Sequence, residues 1–117
     1  MDYEIKQHGK FKYIEEGEGE PLILLHGLFG ALSNFKHLIE HFRKTNKVIV
    51  PMLPLFELDL LHTSVGGLQK FVFKFIEARD YHNIHVLGNS LGGHVALIYT
   101  LKHPERIKSL TLTGSSG

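Results

Sequence analysis

The chain has 117 residues, 43% of them hydrophobic and 21% charged, with a formal net charge of +1 and no cysteine. This is an ordinary globular composition, sized for one domain or part of one. The scattered lysines form no nucleic-acid footprint, and without cysteine there is no disulfide framework and no thiol chemistry. No apolar run approaches the roughly 20 residues of a membrane span. The polar opening MDYEIKQHG is unlike a signal peptide, so a cytoplasmic location is expected.

In chain order, Tyr3–Gln7 and Phe11–Ile14 alternate crudely around His8-Gly9-Lys10 and predict a β-hairpin. The acidic run Glu15–Glu20 reads as a solvated turn. Leu22-Ile23-Leu24-Leu25 is a short apolar run that predicts a buried strand, and it ends in His26-Gly27. Ser33-Asn34 offers a cap for a helix bearing Phe35, Leu38, Ile39 and Phe42. Val48-Ile49-Val50 predicts another buried strand. The segment Pro51–Thr63 is irregular and rich in leucine; packing of these side chains on the core is the plainer expectation, a substrate-facing wall the sharper one. Ser64 is placed to cap a helix running to about Asp80, with Leu68, Phe71, Val72, Phe75 and Ile76 on one face.

The most informative stretch is His82–Ala96, HNIHVLGNSLGGHVA. Ile84, Val86 and Leu87 suit a strand buried on both faces of a parallel sheet. Gly88-Asn89-Ser90-Leu91-Gly92 follows at once, then Gly93. After it, Val95–Leu101 predicts a helix that His103-Pro104 ends. A serine between glycines, after a strand and before a helix, is the setting of the G-x-S-x-G turn. Small neighbours let strand and helix approach closely, and a helix N-terminus favours negative charge developing beside the hydroxyl. The plainer alternative is a glycine-rich turn with an idle serine. Ser109–Thr113 predicts a last strand. Strands alternating with helices imply an α/β fold with a parallel sheet, to which the opening hairpin adds an antiparallel edge.

Three segments, in order, carry a resemblance to the N-terminal half of an α/β-hydrolase. They are His26-Gly27-Leu28-Phe29-Gly30 after a strand, the turn Gly88–Gly93, and His103-Pro104-Glu105-Arg106 running into Leu110-Thr111-Leu112. The resemblance covers essentially the whole chain, residues 1–117. It implies a three-layer, mostly parallel sheet with an N-terminal antiparallel hairpin, of which the first six strands are present and the cap and C-terminal part absent. It also implies that Ser90 is a nucleophile forming an acyl-enzyme. The backbone N–H groups of Leu91 and Leu28, with Phe29 as second choice for the latter, would donate to the oxyanion. His26, Gly27, Gly88, Asn89, Gly92 and Gly93 would shape the site. No cofactor is implied.

In the family the acid and histidine follow the serine in chain order. Neither is found after Ser109–Thr113, where the chain reads Gly114-Ser115-Ser116-Gly117. The expectation is therefore a piece of a larger domain, inactive by itself. Its last strand would lie near an open edge, through which self-association is expected. Of nine histidines, His82, His85, His94 and His103 invite a metal reading, but the usual ligand spacings are missing and no metal site is expected. His85 is better explained structurally, and His94, four residues after Ser90, points along its helix. The leading expectation is a serine hydrolase acting on a small-molecule ester, amide or related carbonyl compound. The alternatives are a cofactor-free lyase or haloperoxidase, and a non-enzymatic binding or scaffold member of the same fold.

Overall fold

The computed structural model describes residues 3–27, 35–54 and 65–114. The caps expected at Ser33-Asn34 and Ser64 lie outside these residues, as do Leu28, Phe29 and most of the leucine-rich segment.

Strand β1 (Lys6–His8) pairs antiparallel with β2 (Phe11–Glu16), and Gly9 turns between them at φ 60°. The apolar runs become the parallel strands β3 (Glu20–Leu25), β4 (Asn46–Pro51), β5 (Ile84–Asn89) and β6 (Ile107–Thr113). Three described α-helices connect them: α1 (Lys36–Phe42), α2 (Val65–Arg79) and α3 (Leu91–Lys102). The six strands form one sheet in the order β1-β2-β4-β3-β5-β6, with β2 antiparallel to β4. This is the α/β architecture the alternation of strands and helices predicts. α3 begins at Leu91, four residues before the apolar stripe at Val95, so the helix starts directly after Ser90.

Alternate residues of each strand feed two separate cores, as the period-2 geometry of a strand requires. On one side Ile23, Leu25, Ile49, Ile84 and Val86 pack with Leu68, Val72, Phe75 and Ile76 of α2 and with Val95, Ala96 and Tyr99 of α3. Leu53, just past β4, joins this core. On the other side Leu22, Leu24, Val48 and Val50 pack with Phe35 and with Ile39 of α1.

β5 departs from the expectation of burial on both faces. Ile84, Val86 and Gly88 are buried, whereas His85, Leu87 and Asn89 are only half-buried. Two helices cover the first set, while the only described helix on the opposite face is the seven-residue α1. Among the described residues β6 is the outermost strand on the β5 side.

Candidate active site

Because β3, β4, β5 and β6 are parallel, their C-terminal ends lie along one side of the sheet, the usual place for a site in an open α/β sheet. His26 and Gly27 leave β3 there, and Ser90 leaves β5. Ser90 has φ 57° and ψ −120°, a left-handed conformation that is strained for a residue with a side chain. Its side chain stays half-exposed.

Close approach holds this bend in place. A Cβ on Gly92 would overlap the carbonyls of Leu25 and His26, so only glycine lets α3 start against the end of β3. A Cβ on Gly27 would stand 2.9 Å from the Ser90 Cβ and 3.3 Å from its hydroxyl. Gly27 thereby keeps the space beside the hydroxyl open. Gly88 faces Gly92 and Gly93 across the bend, where a side chain would strike backbone. The Gly93 N–H donates to the Ser90 carbonyl at 2.9 Å. Leu91 is the first residue of α3, where backbone N–H groups lack partners within the helix.

His26 is buried, with 8% of its surface exposed. The Leu53 N–H donates to its Nε2 at 3.3 Å. The ring proton therefore sits on Nδ1, which donates to the Gly27 carbonyl at 3.3 Å. Burial pushes the imidazole below its ordinary value of 6.5, against smaller opposing contributions from backbone hydrogen bonds at Gly27 and Pro51. A neutral His26 thus joins the exits of β3 and β4.

A further set of contacts was not legible from motif spacing. The Ser90 N–H donates to the Thr113 carbonyl at 3.0 Å, and the Thr113 hydroxyl donates to Asn89 Oδ1 at 3.1 Å. Gly114 turns at φ 53°, where a Cβ would come within 2.8 Å of Asn89 Oδ1. Asn89 and Ser90 are therefore latched to the end of β6. The expected oxyanion donor Leu28 lies outside the described residues.

The other histidines are dispersed. His82 is exposed beside Asp80, 2.9 Å away. His103 stacks on Phe73 with ring centroids 4.4 Å apart and lies 3.8 Å from Glu105. It caps the far end of α3, which at about 1.5 Å per residue puts it roughly 20 Å from Ser90. Among the described residues no three histidines or carboxylates are grouped to hold a metal ion, and no helix is long and apolar enough to cross a membrane.

Residues 20–117 match the family model described as alpha/beta hydrolase fold. The chain belongs to this family. Among solved structures it is similar to MGS-MChE2, an alpha/beta hydrolase enzyme from the metagenome of lagoon sediments at Mar Chica, Morocco. The two are 50% identical with a TM-score of 0.91, over 97% of this chain and 52% of the other. Lipase 1 of Psychrobacter immobilis is 32% identical over 92% of this chain and 36% of its own length. The 2-hydroxymuconate semialdehyde hydrolase of a Pseudomonas species is 29% identical over 88% of this chain and 39% of its own length. This hydrolase-fold chain therefore spans about half the length of that solved structure and less than two fifths of these two curated relatives.

Proposed function

We propose that this chain carries the nucleophile and oxyanion portion of a serine hydrolase acting on an ester, amide or related carbonyl substrate. The observation that carries the reading is Ser90 itself, strained at φ 57°, half-exposed, and set at the start of α3 against Gly27. Ser90 Oγ attacks the acyl carbonyl and the leaving group departs, giving an acyl-enzyme. The Leu91 N–H, helped by the positive end of α3, stabilises the oxyanion, and the Leu28 N–H is the second donor. Neutral His26 ties Gly27, the residue before Leu28, to Leu53. The lipase and hydrolase relatives support this class of chemistry.

A serine without a base is a weak nucleophile. The His103–Glu105 pair sits at the wrong end of α3 to serve Ser90. The 117 residues by themselves are therefore expected to show no hydrolytic turnover. The test is labelling by a fluorophosphonate, with Ser90→Ala as control. Slow labelling confined to Ser90 supports the reading. Labelling that ignores the Ser90→Ala change overturns the nucleophile assignment. A burst of acylation as fast as an intact hydrolase's overturns the expected inactivity.

A further inference from the structure

A residue with a side chain stays at φ 57° and ψ −120° only where its surroundings over-determine it. The glycines of the bend make room for Ser90, and hydrogen bonds hold it. After Ser90, its carbonyl accepts from the Gly93 N–H at 2.9 Å, inside the first turn of α3. Before it, two contacts run to a single residue, Thr113 at the end of β6. The Thr113 carbonyl accepts from the Ser90 N–H at 3.0 Å, and the Thr113 hydroxyl donates to Asn89 Oδ1 at 3.1 Å.

The two contacts act differently. Asn89 and Thr113 are direct partners in the parallel register of β5 and β6. The amide-to-carbonyl bond continues that ladder and fixes how far the bend stands from β6. One bond by itself is a pivot, about which the peptide between residues 89 and 90 can still turn. The hydroxyl bond to the Asn89 side chain is a second point of attachment, one residue earlier, and it opposes that turning. Gly114 stands so close that a Cβ there would come within 2.8 Å of Asn89 Oδ1, which confines the same side chain from another direction.

The peptide planes that meet at Ser90 aim its Oγ and, one residue on, the Leu91 N–H. Such aim is demanding, since a misplacement of about 1 Å can cost about 100-fold in rate. On the reading of Ser90 as the nucleophile, we propose that Thr113 is its positioning residue, the threonine hydroxyl acting through the Asn89 side chain to hold the bend in the reactive orientation. Threonine brings two properties to this place, a β-branched body that suits a strand and a hydroxyl that donates. Valine keeps the first and serine the second, so substitution separates them.

The experiment is the rate at which a fluorophosphonate labels Ser90 in the chain, with the labelled residue located by peptide mass mapping. Oγ bonds to phosphorus, fluoride leaves with the electron pair, and the hydroxyl proton passes to water. Thr113→Val is expected to slow labelling about 10-fold, the effect of a displacement well under 1 Å. Thr113→Ser restores the donor and is expected to recover the rate. Asn89→Ala should be as slow as Thr113→Val, and the double variant no slower than either, because the two side chains act as one unit. A role in strand formation alone predicts the reverse order, with Thr113→Ser the impaired variant. That reverse order, or additive losses in the double variant, would overturn the proposal. Label on Ser90 at a rate indifferent to Thr113→Val overturns the positioning role and leaves the nucleophile standing; no label on Ser90 in the unaltered chain overturns both. Melting curves followed by circular dichroism set a temperature at which all the variants are folded, so that the rates compare folded chains.

Discussion

The described residues cover the two faces of the sheet unequally. On one face α2 and α3 bury a continuous core, from Phe11 and Tyr13 through Phe75 and Ile76 to Val95 and Tyr99. On the other face α1 closes a smaller core around Ile39 and leaves a groove beside it. The same strands build both, so the difference lies in what covers them. Along β5 the buried residues Ile84 and Val86 alternate with half-buried His85 and Leu87. Along β6, Leu110 packs toward the closed core while Ser109 and Thr111 line the groove. Among the described residues, His85, Ser109 and Thr111 stand on this less covered face.

This contrast can be broken by substitution. The largest effect is expected at Gly92, which joins the closed face to the serine bend. Gly92→Val drives a side chain into the Leu25 and His26 carbonyls, and a loss of about 4 kcal/mol or more is expected. Urea unfolding followed by circular dichroism measures it; a variant that folds with undiminished stability would refute the close approach of α3 to β3. Next, Phe75→Ala in the closed core should cost about 3–5 kcal/mol. Leu87→Ala on the open face should cost only about 1 kcal/mol, in keeping with a side chain already half in water. Equal losses from the two would erase the distinction between the faces.

A smaller effect is expected from pH. Burial lowers the His26 pKa in the folded state, so the unfolded chain binds more protons there over the window between the two values. The stability linked to His26 is fully present above about 6.5 and is lost as pH falls from that value through the lower folded one. His26→Gln should flatten this part of the stability–pH curve, and an unchanged slope would place the acid sensitivity elsewhere. The smallest effect on folding is expected at the β6 edge. Leu112 is 41% exposed there, and copies of these 117 residues by themselves are expected to pair through this strand. Leu112→Lys should shift a size-exclusion profile toward monomer with little loss of stability. A wild-type chain already monomeric at high concentration would remove the edge as a contact surface.

The fold was legible where the signal is local. Leu22–Leu25, Val48–Val50 and Ile84–Leu87 are short apolar runs, and the stripe from Leu68 to Ile76 has helical spacing, so element types followed directly. The placement of β4 between β2 and β3 was not legible, because strand order depends on which edges pair. At the site, Ser90 and its flanking glycines were evident because a strained bend needs small neighbours in sequence. The Asn89–Thr113 latch and the His26–Leu53 bond were not legible, since their partners are 24 and 27 residues apart. Glu20 and His85, 65 residues apart, are brought together only by the order of β3, β5 and β6.

The hydrogen bond from the Ser90 amide to the Thr113 carbonyl has a mechanical consequence. The hydroxyl sits next to the middle of the sheet, yet its main chain is moored to the outermost strand. Fraying of that strand from its end would slacken the mooring before any core side chain is exposed to water. Deuterium uptake at the Ser90 amide would then keep pace with that fraying and run ahead of uptake at Val86. Whatever braces that strand would steady Ser90 from a distance.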